Sequence, residues 1–236
     1  MKMDAHPQKR ALAAAFPHTV PIMTGFLFLG FAYGVLMSAK GIGPGWTVLM
    51  SALVFAGSMQ YVAVTLLTGA FEPLQAFFLT LMVNARHLFY GIAMLEKYRG
   101  LGWRKIYLVF GMCDETFSVN CSAEPPEGVE RGDFYFWVTL LDHLYWVAGS
   151  ALGAAVGAMI RFDIKGLDFV LTALFVVIFT GQWRQRAGRA PALVGVGCSV
   201  LALCLWGADG FLLPAMGMIL LALTFLRPRL ERREEP

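Results

Sequence analysis

Apolar runs close to twenty residues long recur along almost the whole chain, near 19–38, 46–69, 73–95, 134–160, 165–183, 190–206 and 210–226. A helix needs about 20 apolar residues to cross a hydrocarbon core. Backbone in lipid must satisfy its own hydrogen bonds, which helices of that length do. The pattern therefore predicts an all-α polytopic membrane protein, a single transmembrane domain over 1–236 with about 6–8 membrane helices. The charge content agrees: 58% of the 236 residues are hydrophobic and 15% charged, at a mean hydropathy of +0.62. That leaves too little charge to cover a soluble domain of this size.

Other features exclude rather than assign. Cys113, Cys121, Cys198 and Cys204 show no metal-ligand or CxxC spacing, so no metal or cofactor is expected. The net charge of +3 comes without a basic stretch interleaved with aromatics, which argues against nucleic acid. The first apolar run follows Lys2, Lys9 and Arg10 and is expected to be a retained span rather than a cleaved signal. The polar interval Ser122 to Asp133 reads as an exposed loop. There is no ATP-binding P-loop, so any energy this chain uses is expected to come from a gradient or from a substrate's own concentration difference.

Basic residues mark the cytoplasmic side of short loops. One arrangement gathers most of them there, with both termini inside. The runs at 46–69 and 165–183 are re-entrant and 106–121 crosses, leaving only Lys40 and Arg131 outside. A seven-span arrangement with an outside N-terminus is the alternative. Small, polar patches support broken helices: Ala56-Gly57-Ser58-Met59-Gln60 in one run and Thr180-Gly181-Gln182 in the other. Irregular backbone at membrane depth is tolerated only inside protein or beside a water-filled cavity; an intact, closely packed helix is the simpler reading. Two ladders of small residues, Gly30/Gly34/Ser38 and Gly149/Gly153/Gly157, suit close helix packing. They also hint at repeats over about 19–95 and 138–206, expected to be inverted, with discontinuous helices meeting at a midplane site.

The run 73–95 holds Arg86 and His87 among Leu, Met and Phe. A guanidinium in mid-bilayer costs about 2.5–3.5 kcal/mol on insertion scales, so it needs partners or water. On a helical wheel Thr80, Asn84, His87 and Gly91 share a face, with Arg86 and Tyr90 beside them, as in a span lining a cavity. The alternative is an anchor whose long stem snorkels to headgroups.

Phe55-Ala-Gly-Ser-Met-Gln60, Asn84-Ala-Arg-His-Leu-Phe-Tyr-Gly91 and Asp114-Glu-Thr-Phe117, with the Gly30-Phe-Ala-Tyr-Gly34 opening, resemble the AzlC family, which also includes YgaZ, over about residues 17–225. The resemblance implies the large subunit of a branched-chain amino acid exporter in the bacterial cytoplasmic membrane. It also implies a small AzlD-type membrane partner. Leucine, valine and isoleucine would be the cargo, with methionine a further candidate.

Such a substrate is a zwitterion with an aliphatic tail. Its carboxylate needs a cation or helix N-termini, its ammonium an acceptor, and its tail an apolar wall. The residues expected to bind it are Gly57, Ser58 and Gln60 at the break, Arg86 for the carboxylate, Asn84 on the polar face, and Phe55 and Tyr61 around the tail. Asp114 and Glu115 would receive the ammonium or a proton, or else cap a helix. His87 and the pair Asp142–His143 are candidates for proton coupling or gating, since histidine titrates near neutral pH. An intramembrane enzyme using Ser58, His87 and Asp114, or a non-transporting subunit, are the competing readings.

Overall fold

The computed structural model describes residues 7–70, 72–159, 169, 172–173, 176, 179–180, 183–184 and 186–231, and the secondary structure among them is helical. They divide into two compact units, 1–168 and 169–236. The first unit contains α1 (Pro7–Ala39), α2 (Pro44–Leu53), α3 (Gly57–Thr68), α4 (Pro73–Val83), α5 (Arg86–Ala93), α6 (Arg104–Phe110), α7 (Asp114–Ser122) and α8 (Arg131–Met159).

The two long helices α1 and α8 form the spine of this unit, and the glycine ladders are their interface. A Cβ on Gly30 would lie 2.9 Å from the Trp146 carbonyl oxygen, and one on Gly149 2.8 Å from that of Leu27. At Gly34 and Gly153 the opposing backbone is closer still. Only residues without a Cβ let two helix backbones approach so far.

The order of contacts along this seam fixes its direction. Trp137 Nε1 donates to Gln8 Oε1 (2.9 Å), Thr19 meets the Tyr145 hydroxyl (3.2 Å), and Gly157 lies against Ser38. Residue numbers rise together, so α1 and α8 are parallel. The expected inverted relation between the two ladders is thereby corrected: spacing reports that two helices can touch, but it is silent about polarity.

The segment between them contains two helical hairpins entering from opposite ends. α2 descends from the Ala39 end of α1 to a break at Val54–Ala56, where Phe55 takes φ 42°, a strained left-handed conformation for an aromatic residue. Gln60 Nε2 then reaches back to Ser51 Oγ at 3.2 Å. Nine residues of straight helix would hold those positions about 13 Å apart. Tyr33 of α1 touches both arms, through its hydroxyl to Met50 and ring to ring with Tyr61 at 5.6 Å. The run at 46–69 is thus folded back as a helical hairpin that opens toward the Ala39 end of α1.

The run at 106–121 does the same from the other end, which corrects the expectation that it crosses. α6 climbs α8 from Phe136 to His143 by way of Tyr107, and Gly111 packs on Thr139. After a turn at Gly111–Cys113, α7 descends: Thr116 bonds Asp142, Asn120 bonds Thr139, and Lys97 Nζ bonds the Cys121 carbonyl at 2.7 Å. The loop after Ser122 therefore lies at the same end as Lys97 and the start of α1. Arg131 donates to the Lys97 carbonyl, and Arg104 pairs with Glu130 and Asp133. Arg131, expected on the opposite side, belongs to this basic end.

α4 and α5 are not the single straight helix assumed for the wheel. They bend by 41° at Asn84–Ala85. The pair runs from the far end, where α3 stops, down to Tyr98 among the basic-end core residues Met94, Leu108, Phe134 and Tyr135. Among the described residues, α1 and 189–207 are long and apolar enough to cross a membrane, and the bent α4–α5 pair adds a third if it is one span.

In the second unit α9 (Arg186–Gly210) breaks at Gly207 (φ 72°) and is followed by α10 (Leu212–Glu231), which packs on it. Most of the apolar run at 165–183 lies outside the described residues, including the proposed break at Gly181-Gln182.

Candidate functional site

Three helix breaks meet at mid-height of the first unit, and the residue just after each break points into the same cluster. Ser58 is in the first turn of α3, Arg86 opens α5, and Asp114 opens α7. Arg86 Nη1 lies 3.1 Å from Asp114 Oδ2, and Nη2 donates to Ser58 Oγ at 3.1 Å. The Tyr90 hydroxyl, one turn along α5, donates to Asp114 Oδ1 at 2.8 Å, with its ring stacked on Phe117 at 4.3 Å. Arg86 is therefore no lipid-facing anchor, since its head is held by residues of α3 and α7. The side chains of Arg86 and Asp114 keep 35% and 32% of their exposure, and Arg86 Nε has no acceptor. This is a partly open charge pair with a donor to spare, at the N-termini of α3, α5 and α7, where the helix dipole favours anions.

The other expected residues separate into two groups. Gly57 packs on the Trp146 ring, and Gln60 bridges Ser51 and Trp146 Nε1 (2.9 Å), so Gln60 braces the hairpin rather than facing a cavity. Tyr61 is 1% exposed and donates to the Leu29 carbonyl at 2.7 Å. Its assignment to a tail pocket is corrected: the side chain fastens α3 to α1. Asn84 and His87 line an open groove of about 350 Å³ with Thr80, Leu88, Gly91 and Met112, and the His87 ring also meets that of Tyr90 at 5.5 Å. His87 Nδ1 contacts the Asn84 carbonyl at 3.1 Å. Ser58 is bonded to Arg86, and the described His87 ring nitrogen contact is to this backbone.

Phe55 and His143 do come together, with ring centroids 4.4 Å apart. His143 also contacts Phe110 and bonds the Tyr107 hydroxyl at 3.0 Å, so it touches both hairpins close to their tips. Asp142, its neighbour, points elsewhere: it is fully buried, Oδ2 accepts from Thr116 Oγ1 at 2.8 Å, and Oδ1 has no partner. The two act on different elements and not as a pair. Glu115 is half-buried beside Cys113. Tyr90 is the member of this cluster to which sequence reasoning gave no role, and Thr116, the buried partner of Asp142, lies outside it. Both lie in the motifs already singled out, Tyr90 one helical turn after Arg86 and Thr116 two residues after Asp114.

A family model described as "AzlC protein" matches residues 21–160, more than half the chain. The chain belongs to the AzlC family. A Bacillus subtilis (strain 168) member, "Branched-chain amino acid transport protein AzlC", is 54% identical over 98% of this chain and 93% of its own length. An "Uncharacterized membrane protein" of Haemophilus influenzae is 40% identical over 98% of the chain and 95% of its own. The "Inner membrane protein YgaZ" of Escherichia coli K12 is a more distant AzlC relative, 24% identical over 75% and 76%. No solved structure matches. All three site-forming breaks lie within the stretch matched to the AzlC model, and this AzlC chain is a membrane protein whose described residues are helical.

Proposed function

We propose that this protein carries branched-chain amino acids, exporting leucine, valine and isoleucine, and methionine as a further cargo. It does so as the large subunit of a gradient-driven secondary transporter. The name and 54% identity of the Bacillus relative support the substrate class. The observation that carries the mechanism is the partly open Arg86–Asp114 pair between three helix N-termini. An amino acid's carboxylate and ammonium have the opposite arrangement of charge to a guanidinium beside a carboxylate. A substrate entering the cluster exchanges with the internal pair: its carboxylate takes Arg86 and the N–H groups of α3 and α5, and its ammonium takes Asp114. The internal pair limits the desolvation cost of either charge when no substrate is bound. The aliphatic tail lies against Phe55 or in the groove bounded by Leu81, Leu88, Val109 and Met112, which opens at the same Asn84–Ala85 break.

The basic end of the first unit, with Lys9, Arg10, Lys97, Arg99, Arg104 and Lys105, faces the cytoplasm of a bacterial inner membrane by the positive-inside rule. α1, α4–α5 and α8 cross, and α2–α3 and α6–α7 enter half-way from opposite sides. The basic tail residues Arg227, Arg229, Arg232 and Arg233 are cytoplasmic by the same rule. With α9 and α10, the chain 1–236 then forms one transport domain with both termini cytoplasmic. A small AzlD-type membrane protein completes it.

Counterflow of labelled leucine, valine and methionine in membrane vesicles tests this reading, with and without the small partner co-expressed. Arg86→Gln at unchanged protein level is expected to lower exchange at least tenfold. Wild-type exchange by that variant would remove Arg86 from the pathway, and no exchange by the wild type in either condition would remove the transport reading.

A further inference from the structure

Asp142 is the one carboxylate of the first unit that is both fully buried and half unsatisfied among the described residues. It is 0% exposed, Oδ2 accepts from Thr116 Oγ1 at 2.8 Å, and Oδ1 meets no donor. A carboxylate with one bare oxygen in such a place is costly, and a proton on that oxygen removes the charge. The groups facing it are few. α7 offers Glu115, with no cation, and the Cys113 thiol, which bonds Thr116 at 3.2 Å. α6 offers the Tyr107 phenol, already joined to His143. α2 offers only its last-turn backbone near His143. A metal cation needs several oxygens around it, and here one hydroxyl is in place.

The position matters as much as the burial. Thr116, which holds Asp142, is two residues from Asp114, which holds Arg86, and both are in the first turn of α7. Building on the transport reading above, we propose that Asp142 is the proton-carrying residue, coupled to the substrate cluster through α7. In the charged form Asp142 pulls the Thr116 hydroxyl. With a proton on Oδ1 it needs that hydroxyl less and becomes a donor itself, and the turn carrying Asp114 is released to accept a substrate ammonium. The step forms one O–H bond on loading and breaks it on release to the other side, one proton per cycle. Asp142 itself never touches substrate; it positions the group that does.

The test separates exchange from coupled movement in vesicles made from cells expressing the full chain. In wild-type vesicles a one-unit pH gradient is expected to drive amino acid accumulation of up to about tenfold, the limit for one proton. Asp142→Asn fixes the neutral form: counterflow is expected within about threefold of wild type, while pH-driven accumulation falls to a ratio near one. Thr116→Val removes the donor that favours the charged form and is expected to move the half-maximal pH of net exchange upward while counterflow persists. Undiminished pH-driven accumulation by Asp142→Asn would overturn the proposal. So would accumulation driven by sodium and not by pH, or loss of counterflow in both variants at normal protein levels, which marks a purely structural tie. A wild type without any counterflow would remove the transport reading and this proposal with it.

Discussion

Replacing Gly153 by alanine tests the parallel α1–α8 seam at its tightest point. Its added Cβ would meet the Phe31 carbonyl oxygen, and at Gly149 the corresponding gap to the Leu27 oxygen is 2.8 Å. Ordinary contacts of a Cβ begin near 3.4 Å, so even at Gly149 the helices must part by about 0.6 Å. A gap of that order forfeits a quarter to a half of each neighbouring dispersion contact, and the opposing atoms are backbone that cannot rotate away. Overpacking of this kind costs about 1–3 kcal/mol. Alanine otherwise favours a helix over glycine by about 1 kcal/mol, which supplies an internal control. Gly195 on α9 has nothing within 4 Å of its added Cβ. Thermal unfolding in detergent is expected to fall for Gly153→Ala by about 4–10 °C and to hold or rise slightly for Gly195→Ala. Equal melting of the two variants would refute the close backbone seam.

Two further outcomes follow from the same geometry. Removing one member of the Arg86–Asp114 pair leaves a partly desolvated charge, so Arg86→Gln or Asp114→Asn alone should destabilise by about 1–3 kcal/mol, less than a fully buried pair would. The double variant should melt closer to wild type, and additive losses would show that the two are not partners. Single cysteines placed at Lys9, Gly41 and Glu127 in a background lacking the native four report sidedness. Membrane-impermeant labelling should reach positions 9 and 127 from one side and 41 from the other, and a shared side for 41 and 127 would mean that 106–121 crosses after all.

What the sequence made legible was mostly local. The Ala-Gly-Ser patch marked the first hairpin, because small residues must allow two arms to approach, and Arg86 announced that partners existed. The partner itself, Asp114, could be suspected from its motif but not assigned, since contacts 28 residues apart depend on how the breaks fold. The 41° bend at Asn84–Ala85 carries no proline or glycine and was not foreseen, yet Thr80, Asn84, His87 and Gly91 still line one groove, as the wheel had them. The second hairpin had a readable signal that was overlooked, a glycine at 111 followed by Asp114-Glu115, the acidic start of a new helix. Polarity of the glycine ladders was beyond reach, because a spacing of four reads the same in either direction.

Where backbone rests on backbone, at Gly30 and Gly34 against Gly149 and Gly153, there are no side chains to repack, so α1 and α8 cannot slip past one another there by a fraction of a turn without carbonyls colliding. Any cycle of opening and closing in this half of the chain must then be carried by pieces that stop part-way across. The two hairpins are such pieces, one entering from each end of the unit, and His143 is touched by both. Lifting one tip while the other stays seated would admit water from a single side, so the fixed spine makes a two-sided leak harder to reach than either half-open form.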